Sequence, residues 1–230
     1  MKDQDLGLDF SMVIASTVHD MKNSLGSLIQ AHGQWVKQLP EACRGTPDQG
    51  VIDYEFAHLN GMLVQLLGLY KLGVNQLPLR PDYHELDDFI EAQLAFHQEV
   101  LVSRGITARY AVDDFGLPGF FDRELVGSVV SNVVINAIRF ARSEVLITAG
   151  QVGEQLVISI NDDGPGFPAR MIEEHTDYVL GINQNSGSTG LGLYFAANIA
   201  KQHQRKGVPG HIEITNGGEL GGGLFSIYLP

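Results

Sequence analysis

Positive charge, cysteine and long apolar runs are all scarce in this sequence, and each shortage removes a class of function. Only 15 Lys and Arg stand against 27 Asp and Glu, a formal charge of −12. That sign argues against general binding to nucleic acid or to an anionic membrane, so an anionic ligand must be held by local donors. The single cysteine, Cys43, lies in a polar stretch without an intrachain partner, which excludes a disulfide-stapled module and fits a reducing, cytoplasmic setting. No window reaches the roughly 20 apolar residues of a bilayer span. The nearest, Gly61–Tyr70, is ten residues long and contains Gln65. The N-terminus, MKDQDLGLDF, has neither the basic flank nor the apolar stretch of a signal peptide. No GKS or GKT is present, so this is not a Walker-type phosphate loop.

What is there is a chain of 230 residues, 44% hydrophobic, long enough to bury roughly 70% of its extended surface. Its charge is uneven: residues 1–80 carry six basic and eight acidic side chains, residues 81–230 nine and 19. The change coincides with Pro78 and Pro81, which disfavour helix in the residues before them. A boundary near residue 80 is expected.

In the first part, Phe10, Ile14, Thr17, Met21, Leu25, Leu28 and Trp35 follow helical spacing and predict one buried stripe on a helix ending near Leu39. Pro40, Gly45, Pro47 and Gly50 break it. Ile52, Phe56, Leu59, Leu63, Leu66 and Tyr70 then mark a second helix. An antiparallel pair has little interior of its own, so the seam is expected to close by pairing with a second copy as a four-helix bundle, through residues 10–75. His19 lies about 200° from both Thr17 and Met21 and is therefore exposed. Lys22 and Asn23 share its face and Asp20 adjoins it. Two readings compete: a solvated polar face, or an imidazole nucleophile whose second nitrogen is held by the Asp20 carboxylate.

In the second part the pattern predicts a helix over 86–104, a strand over 106–112 and an amphipathic helix over 122–141, whose apolar face is Leu125, Val129, Val130, Val133, Val134 and Ile138. Asn132 and Asn136 lie one turn apart on this helix, with Arg139 following. They either bond neighbouring loops or supply a carbonyl ligand for phosphate-held Mg²⁺ and a cation for the phosphates. Strands over 145–149 and 156–160 run into Asn161-Asp-Asp-Gly-Pro-Gly-Phe-Pro168. There Gly164 and Gly166 permit close backbone approach to a flat ligand, and a carboxylate can accept from an exocyclic amine; a plain Asp-Gly turn is the alternative. Gly187-Ser-Thr-Gly-Leu-Gly-Leu opens a helix to about His203. It reads as a helix N-terminus facing phosphate, or as a cap by Thr189. Strands over 212–215 and 224–229 close a mixed sheet.

The ordered set His19-Asp-Met-Lys-Asn23, Asn132-x-x-x-Asn136-Ala-x-Arg139-Phe140, Asp162-x-Gly164-x-Gly166 and Gly187-x-x-Gly190-Leu-Gly192 resembles the H box, Asn box and two glycine boxes of sensor histidine kinases. The resemblance implies a helical hairpin (a four-helix bundle in the dimer) over 1–80, carrying dimerisation and the phosphoacceptor. It implies a catalytic ATP-binding domain over 81–230, an α/β two-layer sandwich of Bergerat type. It makes His19 the acceptor of the γ-phosphoryl group and Asp20 its base. Asn136 would ligate Mg²⁺, Asn132 polarise the reacting region, and Arg139, with Phe140 beside it, bear on the phosphates of ATP. Asp162 would bind the adenine amine in a pocket shaped by Gly164 and Gly166. Thr189, Gly190, Leu191 and Gly192 would line the phosphate end under a lid at about 170–188.

Two departures from the family pattern stand out: Ser24 replaces a Pro common in the H box, and 167–186 holds no clear phenylalanine box. Asp20 with Asn23 matches relatives that also dephosphorylate their response regulator. The reading is thus an ATP-dependent kinase that autophosphorylates on His19 and passes the group to a receiver-domain aspartate. With 18 residues ahead of His19, its signal is expected from a separate input protein, or the chain is a piece of something longer. The rivals are a non-catalytic phosphotransfer scaffold or anti-sigma-like regulator of the same fold, and a topoisomerase-type or chaperone ATPase. The last class typically has an acidic residue at the position of Asn132 and needs no exposed His19.

Overall fold

The computed structural model describes residues 10–113, 118–173 and 191–230. Helix α1 (Phe10–Gln38) is closed at its C-terminus by Arg44, whose guanidinium donates to the carbonyls of Lys37 (2.7 Å) and Leu39 (2.9 Å). A short 3-10 turn, Glu41–Cys43, follows. Helix α2 (Pro47–Gly73) starts where Thr46 accepts the Gln49 N–H, with Pro47 at the first position where no N–H is needed. Pro47 and Gly50, expected in the break, therefore belong to the first turn of α2.

The helices lie antiparallel, and α1 is buried along only part of its expected stripe. Leu25 of that stripe is buried, together with Val18, whereas Met21, Leu28 and Trp35 are more than half exposed. The reason is geometric: α2 covers the adjoining face, which runs through Val18, Leu25 and His32. His32 Nδ1 sits 3.2 Å from Asp53 Oδ1, and the ring meets Phe56 edge-on. The rest of the stripe, through Met21, Leu28 and Trp35, is left open on the outside of the hairpin.

An extended stretch leads to β1 (Asp82–His84), α3 (Leu86–Ser103), β2 (Thr107–Val112), β3 (Gly119–Phe121) and α4 (Arg123–Phe140). Then come β4 (Glu144–Val152), β5 (Gln155–Asp162), α5 (Ala169–Glu173) and α6 (Leu191–Gln202). The chain ends with β6 (Gln204–Arg205), β7 (Val208–Pro209), β8 (His211–Asn216) and β9 (Gly223–Leu229). The five-stranded sheet has the order β2-β4-β5-β9-β8; β2 and β4 are parallel and every other neighbour antiparallel. Period-two alternation sends Ile147, Ile158, Ile160, Ile214, Phe225 and Ile227 to one face, where they pack on α3, α4 and α6. This is a two-layer α/β sandwich. On α4 the fully buried face includes Val126, and Leu125, expected in the core, is only partly covered. The small ribbons β1–β3 and β6–β7 were not foreseen; such short runs carry too little periodicity to read.

Helix α2 also packs on the sandwich. Tyr54 joins its core, and two glycines allow close approach: a Cβ at Gly50 would lie 2.7 Å from Ser103 Cβ, and one at Gly68 2.6 Å from Phe195 Cε2. Asp122 ties the junction together. Its carboxylate caps α4 through the N–H groups of Glu124 and Leu125 and also accepts from Arg80 N, while its own N–H donates to His203 Nε2.

Candidate nucleotide and phosphoacceptor sites

Two clusters on different elements hold the residues singled out above. The first is on α1. His19 and Asp20 are exposed, 62% and 78% by side chain, and Nδ1 of the imidazole lies 3.8 Å from Asp20 Oδ1. The Asn23 amide, one turn on, is 3.3 Å from the same nitrogen. Both neighbours thus gather at Nδ1. The Asp20 carboxylate can only accept there and the Asn23 Nδ2 can only donate, so Asp20 suits the tautomer with its proton on Nδ1 and its lone pair on Nε2, and Asn23 the opposite one.

The second cluster lies at one end of the sandwich. Asp162 ends β5 and Asp163 stands just beyond it, and the two carboxylates bond to different parts of the fold. Asp162, 8% exposed, accepts at Oδ1 from the N–H groups of Gly164 (2.8 Å) and Gly223 (3.3 Å); Oδ2 takes no part in these bonds. Asp163 instead binds the turn between α4 and β4, accepting from Arg142 N, Ser143 N and the Ser143 hydroxyl. Desolvation opposes its charge, but these hydrogen bonds prevail and hold its carboxyl far below the usual range. Asp162 is therefore the carboxylate with acceptor capacity to spare, and Asp163 is the structural one.

The glycines sit where side chains would collide. A Cβ on Gly164 would come 2.4 Å from the Phe140 carbonyl oxygen; Gly166, at φ +81°, faces Asn216, whose Oδ1 would be 2.5 Å away. Phe140 thus enters the site through its backbone, with the Arg139 guanidinium 5.4 Å above its ring. Arg139 is exposed, as a phosphate partner needs to be. Asn132 and Asn136 are half-buried along α4. A Cβ on Gly192 would lie 2.6 Å from Asn132 Nδ2, so the start of α6 is pressed against the Asn-bearing side of α4. Leu191 follows as the first residue of α6, and Thr189, Gly190 and most of the expected lid lie outside the described residues.

Sequence reasoning missed three contributors: Asp163, and the asparagines 161 and 216, which bond across the site. The available signal was an amide side chain at each strand end beside a glycine-rich turn. A cavity of about 550 Å³ lies in the seam of α2, α3 and α4 and reaches Asn132, but Asp162 is not among its lining residues. No group of three or more His, Cys, Asp or Glu side chains able to hold a metal occurs among the described residues. Any divalent ion here must take most of its ligands from phosphate and water, with an amide carbonyl such as that of Asn136. The donor set fits Mg²⁺ carried by a nucleotide.

Residues 121–230 match the family of histidine kinase-, DNA gyrase B- and HSP90-like ATPases. The sensor histidine kinase ZraS of Escherichia coli (strain K12) is 26% identical over 100% of this chain and 47% of its own length. The sensory histidine kinase/phosphatase NtrB of Salmonella typhimurium is 29% identical over 95% and 61%. The chain therefore spans between about half and three fifths of these relatives. Among solved structures, full-length ShkA in complex with AMPPNP superposes with a TM-score of 0.64 at 19% identity, over 96% of this chain and 46% of that one. Acinetobacter baumannii AdeS gives 0.56 at 18%, over 92% and 96%. At these identities the structural likeness is one of fold.

Proposed function

We propose that this chain, which is similar to sensor histidine kinases along its length and carries the matched ATPase region, transfers the γ-phosphoryl group of ATP to His19 and then to an aspartate of a response regulator. The division follows the charge shift: residues 1–80 carry the acceptor and the dimer contact, residues 81–230 the nucleotide. The observation that carries the reading is the exposed imidazole flanked at Nδ1 by Asp20 and Asn23, in one chain with a buried Asp162 braced by two glycine N–H groups.

In the proposed step the His19 Nε2 lone pair forms the bond to the γ-phosphorus, and the bond from that phosphorus to the bridging oxygen breaks, its electrons leaving with ADP. The ring becomes cationic and gives its Nδ1 proton to Asp20. Asn132 and Arg139 steady and neutralise the phosphates, while Asp162 accepts the adenine amine. Asn136 would hold Mg²⁺, which would supply charge neutralisation at the phosphates. Thr189, Gly190, Leu191 and Gly192 complete the phosphate end. Asn23, in contact with His19, suits a water-holding role in dephosphorylating the regulator.

The open stripe on α1 supports a homodimer through residues 10–75, closed as a four-helix bundle. No helix among the described residues is long and apolar enough to cross a membrane, which supports a cytoplasmic setting for this segment. Incubation with γ-labelled ATP and Mg²⁺ tests the reading. An acid-labile, base-stable label is expected on the unmodified chain and not on His19→Ala or Asn136→Ala. Intact ATP binding with no label on any form would favour a scaffold instead.

A further inference from the structure

Two asparagines outside the four motifs exchange bonds across the adenine end of the site. Asn161, at the end of β5, is buried and uses both ends of its amide. Its Nδ2 donates to the carbonyls of Gly223 (2.8 Å), Gly217 (3.1 Å) and Asp162 (3.3 Å), and its Oδ1 accepts from Leu220 N (2.8 Å). Two of these partners, Gly217 and Leu220, belong to the turn between β8 and β9, and Gly223 opens β9 directly after it. Asn216, at the end of β8, does the converse: it accepts from Phe167 N (2.6 Å) and donates to Phe167 O (2.8 Å) in the loop after β5. Each strand end thus clamps the loop that follows the other. The Asp162 carboxylate lies where those loops meet, bonded to Gly164 N in one and Gly223 N beyond the other.

Both loops need such restraint. Gly166 has φ +81°, and Gly217, Gly218 and Gly221 have φ +116°, +68° and +82°; glycines in this region are costly to order because they are free in so many other conformations. Asn216 is exposed, so no core packing explains its paired bonds; what they order is the backbone of Phe167 beside the glycines.

We propose that Asn161 and Asn216 are positioning residues for the purine. They hold the Asp162 carboxylate and the Gly164–Phe167 backbone in the receiving geometry before the nucleotide arrives, so that binding ATP does not have to order them. This rests on the reading of Asp162 as the adenine acceptor. A group that acts by preorganisation at the base end should affect adenine affinity and leave the triphosphate end alone.

The test uses the full chain and titrates ATP, adenosine and inorganic tripolyphosphate, with autophosphorylation followed in parallel. Asn216→Ala is expected to weaken ATP and adenosine by the same factor, roughly tenfold for two lost hydrogen bonds. Tripolyphosphate competition should stay unchanged. The KM for ATP should rise while the maximal rate holds within about twofold, and Asn216→Ser, which restores one polar partner, should fall between. Asn161→Asp, retaining the acceptor for Leu220 N and losing the donations, gives the same pattern by the other clamp. Asp162→Asn is the control. If it weakens adenosine binding while the asparagine variants do not, or if they weaken tripolyphosphate equally, the positioning role is overturned and the adenine reading stands. If Asp162→Asn leaves adenosine binding unchanged, the adenine reading itself falls, and this inference with it.

Discussion

Asp162 and Asp163 are adjacent and chemically identical, yet one is bonded so as to leave an oxygen for a ligand and the other is spent on a turn. The partners each meets in the folded chain make that assignment, and a string of letters reading Asp-Asp-Gly does not. The same scale supplies a pH dependence. His97, buried between α3 and α4 with Nε2 2.9 Å from Ser131 Oγ, has its pKa pushed down by burial to about 4. His203, lodged between Ile199 O and Asp122 N, is lowered in the same way, again chiefly by burial. Both are neutral when folded and protonate first in the unfolded chain. Stability is therefore full above about pH 6.5 and falls as the pH drops towards 4, with His97 alone costing up to about 3 kcal/mol at the acid end. Urea unfolding between pH 7 and 4.5 should show the decline, and His97→Leu should flatten it. Parallel curves for the two proteins would rule His97 out as the source.

At the level of elements, helical periodicity made α1, α2, α3, α4 and α6 legible, because a buried face repeats every turn whatever it packs against. Which face is buried was less legible. The α1 stripe through Met21, Leu28 and Trp35 is outside the hairpin, so its apolar character has a use only if something covers it. Leu28→Arg should convert a dimer to a monomer in sedimentation equilibrium while leaving the helix content intact; an unchanged dimer would place the contact elsewhere. On α2, Gly68 is a helix-interior glycine that costs about 1 kcal/mol against alanine in propensity, and its contact with Phe195 explains its presence. Gly68→Leu should force α2 off α6. Faster amide exchange in both helices would report it, with the strands β5 and β9 unaffected.

For the molecule as a whole, the −12 charge is compatible with the proposed binding of a triphosphate because the donors proposed for it are local: glycine N–H groups, amides and the exposed Arg139. The proposed acceptor His19 and the proposed nucleotide site stand on separate elements, joined through the packing of α2 and the Asp122 junction. By itself the sequence determined the order of the long helices and of the five strands of the main sheet, and the exposure of His19, since each depends on residues within a few turns or strand steps. Tertiary structure alone decided which face of α1 stays open, which aspartate has an oxygen to spare, why Gly68 is a glycine, and that Asn161 and Asn216 clamp one another's loops. Those properties are set by contacts between residues distant along the chain, whose register comes into being only when the sheet and its helices pack.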